Sequence, residues 1–568
     1  MTLNFDEYPQ SPHGGILVDQ VVPDDRREAE IQRARSLPSI RVDLEAVITI
    51  EMITTGVLSP HKGFMNEAEY LSVLEAGRLT DGLVWPVPLS FAPTGKTNEE
   101  IIAGLSVGDD VSLIDDQNEP VAILNIEDIF SYDRDHRAQN LFGTTDRNHP
   151  GVDSIYRRMG EKSLGGTLNL LNRVDWGPFE KLRRTPKDTW KTFYEEKKYG
   201  SVAGFITGAN PLHRGHEYIH RNALEEVDGL FLQPLVELAK REYIRHEYRM
   251  RAYQNVLDTY YPADRSLLSP LRVTYIFAGP REAILHALIM KNYGCTHALI
   301  GRDHAGVGDF YDKYAGHNVF SDYTKEELGI DVRLFHEVFY DVRAATHATE
   351  RTSNNDDVRY RLNISGTGVR ELLRYGIMPP KEIVRPESAL GGVQGVQPKG
   401  VDENHEAVTQ PVGKIIKSMF PYYLDYTGLG GSPRAVPLKV EDLTLDDLEA
   451  AVRDVRENAG LIYEDVYNEY TNVLDRNRSL QKGWRDEARD AFRERQQRLI
   501  EDLEVKLKSA PESASDEFMY QDRAEVEREL EAAKRLLDEI PHNLDQEALD
   551  ARAWNQTPYH RYRGADEE

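Results

Sequence analysis

Residues 204–220 read GFITGANPLHRGHEYIH, and the rest of the chain is organised around them. The run Val202 to Thr207 predicts a short buried strand, Gly208 to Arg214 a tight polar turn holding Pro211, and His216 onward a helix opening with Glu217 and Tyr218. A strand that feeds a helix through such a turn aims free backbone N–H groups at one point. His213 and His216 stand at the mouth of that helix, which is a place for phosphate. Taken alone, the segment is equally an ordinary strand-to-helix connection with two surface histidines.

A second segment, LNISGTGVR at 362–370, places Ser365, Gly366 and Thr367 in a turn before a helical run, with Arg370 one turn in. Between the two lie an apolar helix, a strand Ala298 to Ile300, and a glycine-rich loop carrying Arg302, Asp303 and His304. Two phosphate-type turns on alternating β and α elements resemble the nucleotidylyltransferase superfamily. More narrowly, GPREAI (279–284), KNYGCTH (291–297), GRDHAGVGDFY (301–311) and NISGTGVR (363–370) are similar to the ATP sulfurylase (sulfate adenylyltransferase) family. The same likeness runs through SPHGGILVD (11–19), LSPHKGFMNEAEY (58–70) and LFGTTDRNHPGV (141–152), so it spans roughly residues 10–390.

With 568 residues the chain is too long for one core, and about three or four domains are expected. A net charge of −27 argues against a general nucleic-acid grip, because a phosphate backbone meets a repelling mean surface. An acidic enzyme still binds ATP where its basic residues converge. The single cysteine, Cys295, excludes an internal disulfide and a thiolate zinc cluster, and reads as a buried structural thiol. The N-terminal MTLNFDEYPQSPHGG has neither a basic region nor an apolar core, and no segment holds 18 uninterrupted apolar residues. The expectation is a cytoplasmic protein with no membrane partner.

The fold class expected is multidomain α/β. Residues 1–185 carry strand signals at 83–91, 109–115 and 119–130, with helices around 25–36 and 67–77, and read as a β-rich, barrel-like domain. The resemblance makes this domain PUA-like; His13, His61 and His149 within it read as holding turns and domain contacts rather than as ligands. Residues 186–345 form the Rossmann-like nucleotidylyltransferase domain, with further strands at 229–236, 272–277 and 298–300 and a helix from Arg245 to Tyr260. Residues 346–400 make a small subdomain and linker, and 401–568 an arm followed by a helical extension. In that extension Thr444 and Asp447 form a capping box. Leu445, Leu448, Val452 and Val455, then Phe492, Leu499, Leu503 and Leu507, then Val526, Leu530, Ala533 and Leu537 mark three apolar stripes. Such stripes serve a homodimer contact or a cap on the catalytic domain.

By the resemblance, the reaction joins sulfate to the α-phosphorus of Mg²⁺-bound ATP and releases pyrophosphate. His213 and His216 would steady charge at the α- to β-phosphate bridge, and Thr207 and Asn210 would orient the α-phosphate. Gly301, Arg302, Asp303 and His304 would cradle the adenosine. Arg302, the backbone of Ala305 and Lys240 would meet the acceptor anion. Phe335 and Val338 would line the adenine side, with Ser365, Gly366 and Thr367 forming the second nucleotide turn. The family pattern FQTRNPxHRxH is altered here: Ile206 stands for the Gln, Gly208-Ala209 for the Arg, and the turn is one residue longer. No Cys-rich knuckle precedes NISGT, only His347, so no structural zinc is expected. No Walker A loop occurs, so no fused adenylylsulfate kinase is expected. Three readings stay open: adenylyl transfer to sulfate, the same transfer to another oxyanion such as a phosphonate, molybdate or carboxylate, and a non-catalytic nucleotide-binding assembly protein.

Overall fold

The computed structural model describes residues 3–236, 244, 246–273, 276–341, 343–354, 361–364, 366, 369–370, 379–385, 387–389 and 392, with short stretches inside 422–437 and 497–534. The N-terminal part is built on five strands: β1 (Ser39–Arg41), β2 (Gly63–Phe64), β3 (Asp110–Ile114), β4 (Pro120–Ser131) and β5 (Lys162–Leu170). Their order is β1-β3-β4-β5-β2, antiparallel except for the β1–β3 pair. Where β2, β5 and β4 cross, the backbones meet with no room for side chains. A Cβ on Gly63 would fall 1.8 Å from the Gly166 carbonyl oxygen, and one on Gly166 would fall 1.9 Å from that of Asn125. Helices Asp24–Ala34 and Glu67–Ala76 stand where the sequence predicts them.

The strand expected at 83–91 does not form. Pro86 and Pro88 remove two backbone donors, and the segment crosses the core as irregular chain, with Trp85 fully buried and Val84 in one isolated bridge to Arg78. In its place β5, which sequence reasoning missed, completes the sheet.

The second sheet is the scaffold of the site. Its strands are β6 (Val202–Thr207), β7 (Gly229–Pro234), β8 (Ser266–Leu268), β9 (His297–Ile300) and β10 (Asp331–Leu334). All pairs are parallel, in the order β10-β9-β6-β7-β8. This is the doubly wound arrangement, and the strand order reverses between β6 and β9, so a crevice opens beyond their carboxyl ends. Strand β6 is buried at all six positions, as expected of a central parallel strand with helices on both faces.

The third strand lies at 266–268 rather than at the expected 272–277. Leu271 makes a single bridge to Leu235, and the described residues of the expected strand, 272, 273, 276 and 277, pair with no strand; 274 and 275 lie outside the described residues. The backbone N–H groups of Ile276 and Ala278 donate instead to the two oxygens of Glu282, in the first turn of helix Pro280–Asn292 (3.0 and 3.1 Å), and Phe277 takes a positive φ. Those donors cap a helix and so cannot join a ladder. After β10 come three antiparallel strands, β11 (Val338–Asp341), β12 (Thr346–Thr349) and β13 (Arg361–Asn363), in the order β12-β11-β13. No helix among the described residues is long and apolar enough to cross a membrane.

The two halves share one apolar core, which runs from Ile40 and Trp85 through Trp190 to Met290 and Ile300. At their contact Asn292 is fully buried. Its Nδ2 donates to the carbonyls of Val57 and Ser59 (3.0 Å each) and its Oδ1 accepts from the backbone N–H of His13 (2.9 Å). The His13 ring reaches the Val84 carbonyl at 2.7 Å, and His149 caps helix Pro150–Arg158, so both histidines hold turns and contacts as read. Asn292→Ala strands three buried backbone groups at about 1–3 kcal/mol each. Urea unfolding should show a loss of at least about 3 kcal/mol; a loss below about 1 kcal/mol would show that these bonds do not join the halves.

Candidate active site

Beyond β6 and β9 lies an open cavity of about 500 Å³. Thr207, Asn210, His213 and His216 line one side, Gly301, Arg302, Asp303, His304 and Ala305 the other, and Val338, Gly366 and Arg370 close it. A volume of that order accommodates a nucleotide-sized ligand. Two distant turns therefore converge at the topological switch point of the sheet. Lys240, Ser365 and Thr367 lie outside the described residues. Phe335 does not line the cavity: its N–H bonds the Ile300 carbonyl (2.9 Å), and its ring packs with the apolar cluster behind.

The first turn is shaped by its own side chains. Thr207 Oγ1 accepts from the Ala209 N–H at 3.0 Å, closing the loop directly after the strand. His213 is the N-cap of helix Arg214–Leu224, yet its ring makes no cap hydrogen bond and stacks on His216 with centroids 3.7 Å apart. The Nδ1 atoms of both rings are shielded from solvent without a hydrogen-bond partner, although the rings border the cavity. Polar atoms placed so are normally satisfied; His213 Nδ1 lies against the helix, 3.2 Å from where a Cβ on Gly215 would stand.

Arg370 ties the second turn to the first, its Nη1 donating to the Asn210 carbonyl at 3.1 Å. The helix behind is clamped by a buried carboxylate: Glu217 takes a bidentate pair from Arg385 (2.9 and 2.7 Å) and lies near Arg214 and Arg221 (3.4 and 3.5 Å). Burial alone would raise the Glu217 pKa, but the arginines outweigh it and hold the group below the ordinary carboxylate range.

On the β9 side Asp303 and Ala305 adopt positive φ, which turns the loop tightly over the strand end. His304 Nε2 lies 2.8 Å from His286 Nδ1, and His286 Nε2 lies 3.7 Å from the same Glu282 that caps its helix. His317 Nε2 donates to the Gly301 carbonyl at 3.0 Å. Sequence reasoning missed this support, along with Glu337, whose Oε1 lies 3.3 Å from Arg302 Nε at the cavity mouth. The only signal for it was Glu282, three residues after Gly279 in GPREAI.

Sequence comparison places this geometry. Residues 180–390 match the family described as ATP-sulfurylase and residues 10–173 match the PUA-like domain. The chain is 42% identical over 389 residues to the sulfate adenylyltransferase of Halothermothrix orenii, an alignment covering 68% of this chain and 99% of that one. This chain belongs to the ATP sulfurylase family. The sulfate adenylyltransferase of Chloroflexus aurantiacus is 42% identical over 66% of this chain and 95% of its own length. That of a Synechococcus strain is 39% identical over 71% and 100%. Among solved structures, the hexameric APS kinase from Thiobacillus denitrificans aligns with a TM-score of 0.52 at 23% identity over 67% of each chain, a likeness of fold.

In this ATP sulfurylase family member burial disfavours the charged form of three histidines on the cavity, His213, His216 and His304. Burial lowers His216 to about 3 and His304 to about 4. His213 falls well below its ordinary value through burial and then through His216 and Arg370. Deeper in the fold, burial lowers His13 to about 4 and sends His220 and His286 well below the ordinary range. In the unfolded chain each returns to about 6.5. Below that pH the unfolded state binds more protons than the folded one, so stability is complete above about pH 6.5 and is lost as pH falls towards about 4. Each such histidine steepens the loss by up to about 1.4 kcal/mol per pH unit. Unfolding midpoints measured without ligand should drop steeply between pH 7 and 5; a flat profile would mean that these rings carry protons in the fold.

Proposed function

We propose that this chain transfers the adenylyl group of ATP to sulfate, forming adenylyl sulfate and pyrophosphate. The observation that carries the reading is the pair of stacked imidazoles, His213 and His216, lining the same cavity as Arg302 and Arg370. Bringing a dianion onto a phosphorus that already bears negative oxygens is opposed by repulsion and misalignment. The site therefore needs donors aimed at the oxygens that gain charge, and no covalent nucleophile. Neutral imidazoles supply such donors without repelling one another while the site is empty. A triphosphate arriving between them reverses the local field and raises both pKa values, strengthening the donors where charge grows.

The roles then follow the expected ones: Thr207 and Asn210 at the α-phosphate, His213 and His216 at its bridge to the β-phosphate. Gly301 to His304, Val338 and the 365–367 turn take the nucleoside and phosphates, and Arg302 with the Ala305 backbone takes the acceptor. Mg²⁺ enters as part of the substrate, riding on the phosphates. Among the described residues no three His, Cys, Asp or Glu side chains are grouped as a metal site requires. His347, the one histidine in the segment where relatives carry a zinc knuckle, bonds the Glu382 carbonyl at 2.6 Å. With this reading go a zinc-free cytoplasmic enzyme of sulfate assimilation and a homodimer held by the helical extension. There Leu503, Val526, Leu530 and Ala533 are buried together.

One observation favours keeping the wider acceptor reading beside it. Ile206, Gly208 and Ala209 line the cavity wall where the family pattern has polar side chains, so that wall offers no side-chain donor. Pyrophosphate release from MgATP, measured across sulfate, molybdate, a phosphonate and a carboxylate, decides between them. Release with sulfate, cut about 10²- to 10³-fold by His213→Ala, is the expected result. Release with another anion alone moves the activity to that acceptor, and none with any anion leaves a nucleotide-binding protein. A chain ended at residue 400 should keep sulfate-dependent release within about twofold, because the family match ends at residue 390; loss of that release would make the extension part of the catalytic unit.

A further inference from the structure

Arg302 is the guanidinium assigned above to the acceptor anion, and in this structure it is paired with a carboxylate. Its Nε lies 3.3 Å from Glu337 Oε1, and Lys313 Nζ lies 3.8 Å from Glu337 Oε2. Among the described residues, Glu337 is the only ion-pair partner of the Arg302 side chain. Both residues line the cavity, and their side chains are 37% and 35% exposed, so the pair faces the ligand space at its mouth.

The backbone delivers this carboxylate to a set position. The Phe335 N–H bonds Ile300 at the end of β9, the Glu337 N–H bonds the Tyr314 hydroxyl at 3.4 Å, and β11 begins at the next residue. Glu337 is therefore pinned on both sides. A carboxylate and a sulfate present the same face to a guanidinium, two oxygens of shared negative charge. An ion pair as exposed as this one is weak enough to be exchanged.

We propose that Glu337 is an internal competitor for the acceptor anion. It pairs with Arg302 and must be displaced when the acceptor enters. The displaced carboxylate stays paired with Lys313, which already lies on its other oxygen, so displacement leaves no stranded charge. The device selects by charge: a monoanion offers Arg302 no more than Glu337 does, whereas a dianion offers more and wins the exchange. This inference rests on the reading of the site as an adenylyltransferase.

The test compares the full chain with Glu337→Gln and Glu337→Ala in steady-state pyrophosphate release. The sulfate KM should fall about two- to fivefold in both variants, with kcat and the ATP KM within a factor of two. The advantage of sulfate over monoanionic competitors should shrink with it. Lys313→Met should move the sulfate KM the other way. An unchanged or raised sulfate KM in both Glu337 variants overturns the proposal, because the carboxylate would then be orienting Arg302 for the acceptor. A raised ATP KM with the sulfate KM unchanged also overturns it, placing Glu337 on the ribose hydroxyls. Should the wild-type chain release no pyrophosphate with sulfate, the functional reading fails by itself. The competition is then read as sulfate affinity by calorimetry with a non-hydrolysable ATP analogue present: tighter binding to Glu337→Gln sustains it, and equal or weaker binding overturns it.

Discussion

Glu217 sits one turn into the helix that His213 caps, with almost no solvent contact, and it collects arginines from three directions. A charge so placed is tolerated only if its partners hydrogen-bond it well, and Arg385 does so through two parallel contacts while stacking over the Tyr260 ring at 3.8 Å. Ser388 adds a bond to the Leu212 carbonyl at 2.6 Å, and the Arg214 N–H bonds Ile383 at 2.8 Å. These contacts join residues 383–388 to the back of the first phosphate turn. They fix the helix axis, and so the direction in which the two imidazoles point.

From that constraint follows an unusual electrostatic solution for a chain with net charge −27. A cluster of permanent cations would bind polyanions strongly but would also draw the abundant carboxylates of the same chain. The Arg302–Glu337 pair shows that pull at work. Imidazoles whose charged form burial disfavours avoid the difficulty, because they present no permanent charge for those carboxylates to pair with. The two arginines on the cavity are restrained in different ways: Arg302 by a carboxylate at the mouth, Arg370 by the Asn210 carbonyl.

Much of the scaffold was legible in the chain itself. The boundaries of β6 and the positions of β7, β9 and helix His246–Tyr260 follow from apolar runs ended by turn residues, and these signals are local. The errors share one cause. Residues 272–277 and 83–91 have strand-like composition, but at the end of the first the Ile276 N–H goes to Glu282, as does that of Ala278 just beyond it, and in the second prolines remove two donors. Composition reports what side chains prefer, whereas a ladder requires a free donor and a neighbour, and neither is visible locally. The site divides in the same way: residues that act through a turn were legible as motifs, while Glu337, His286 and Glu282 act through side-chain partners set by the fold.

The altered wall of Ile206, Gly208 and Ala209 is best understood with that division in mind. Removing side-chain donors from the first turn leaves its backbone and its two histidines in place, since the turn is held by Thr207, Arg370 and the Glu217 clamp. The first turn is therefore held by bonds that do not involve the side chains that changed. On the proposed reading, discrimination among acceptors rests on groups outside the turn, chiefly Arg302 and the Glu337 carboxylate paired with it. A few side chains at the mouth can therefore change while the first turn keeps its shape, because that turn is braced from behind by Glu217 and Arg385.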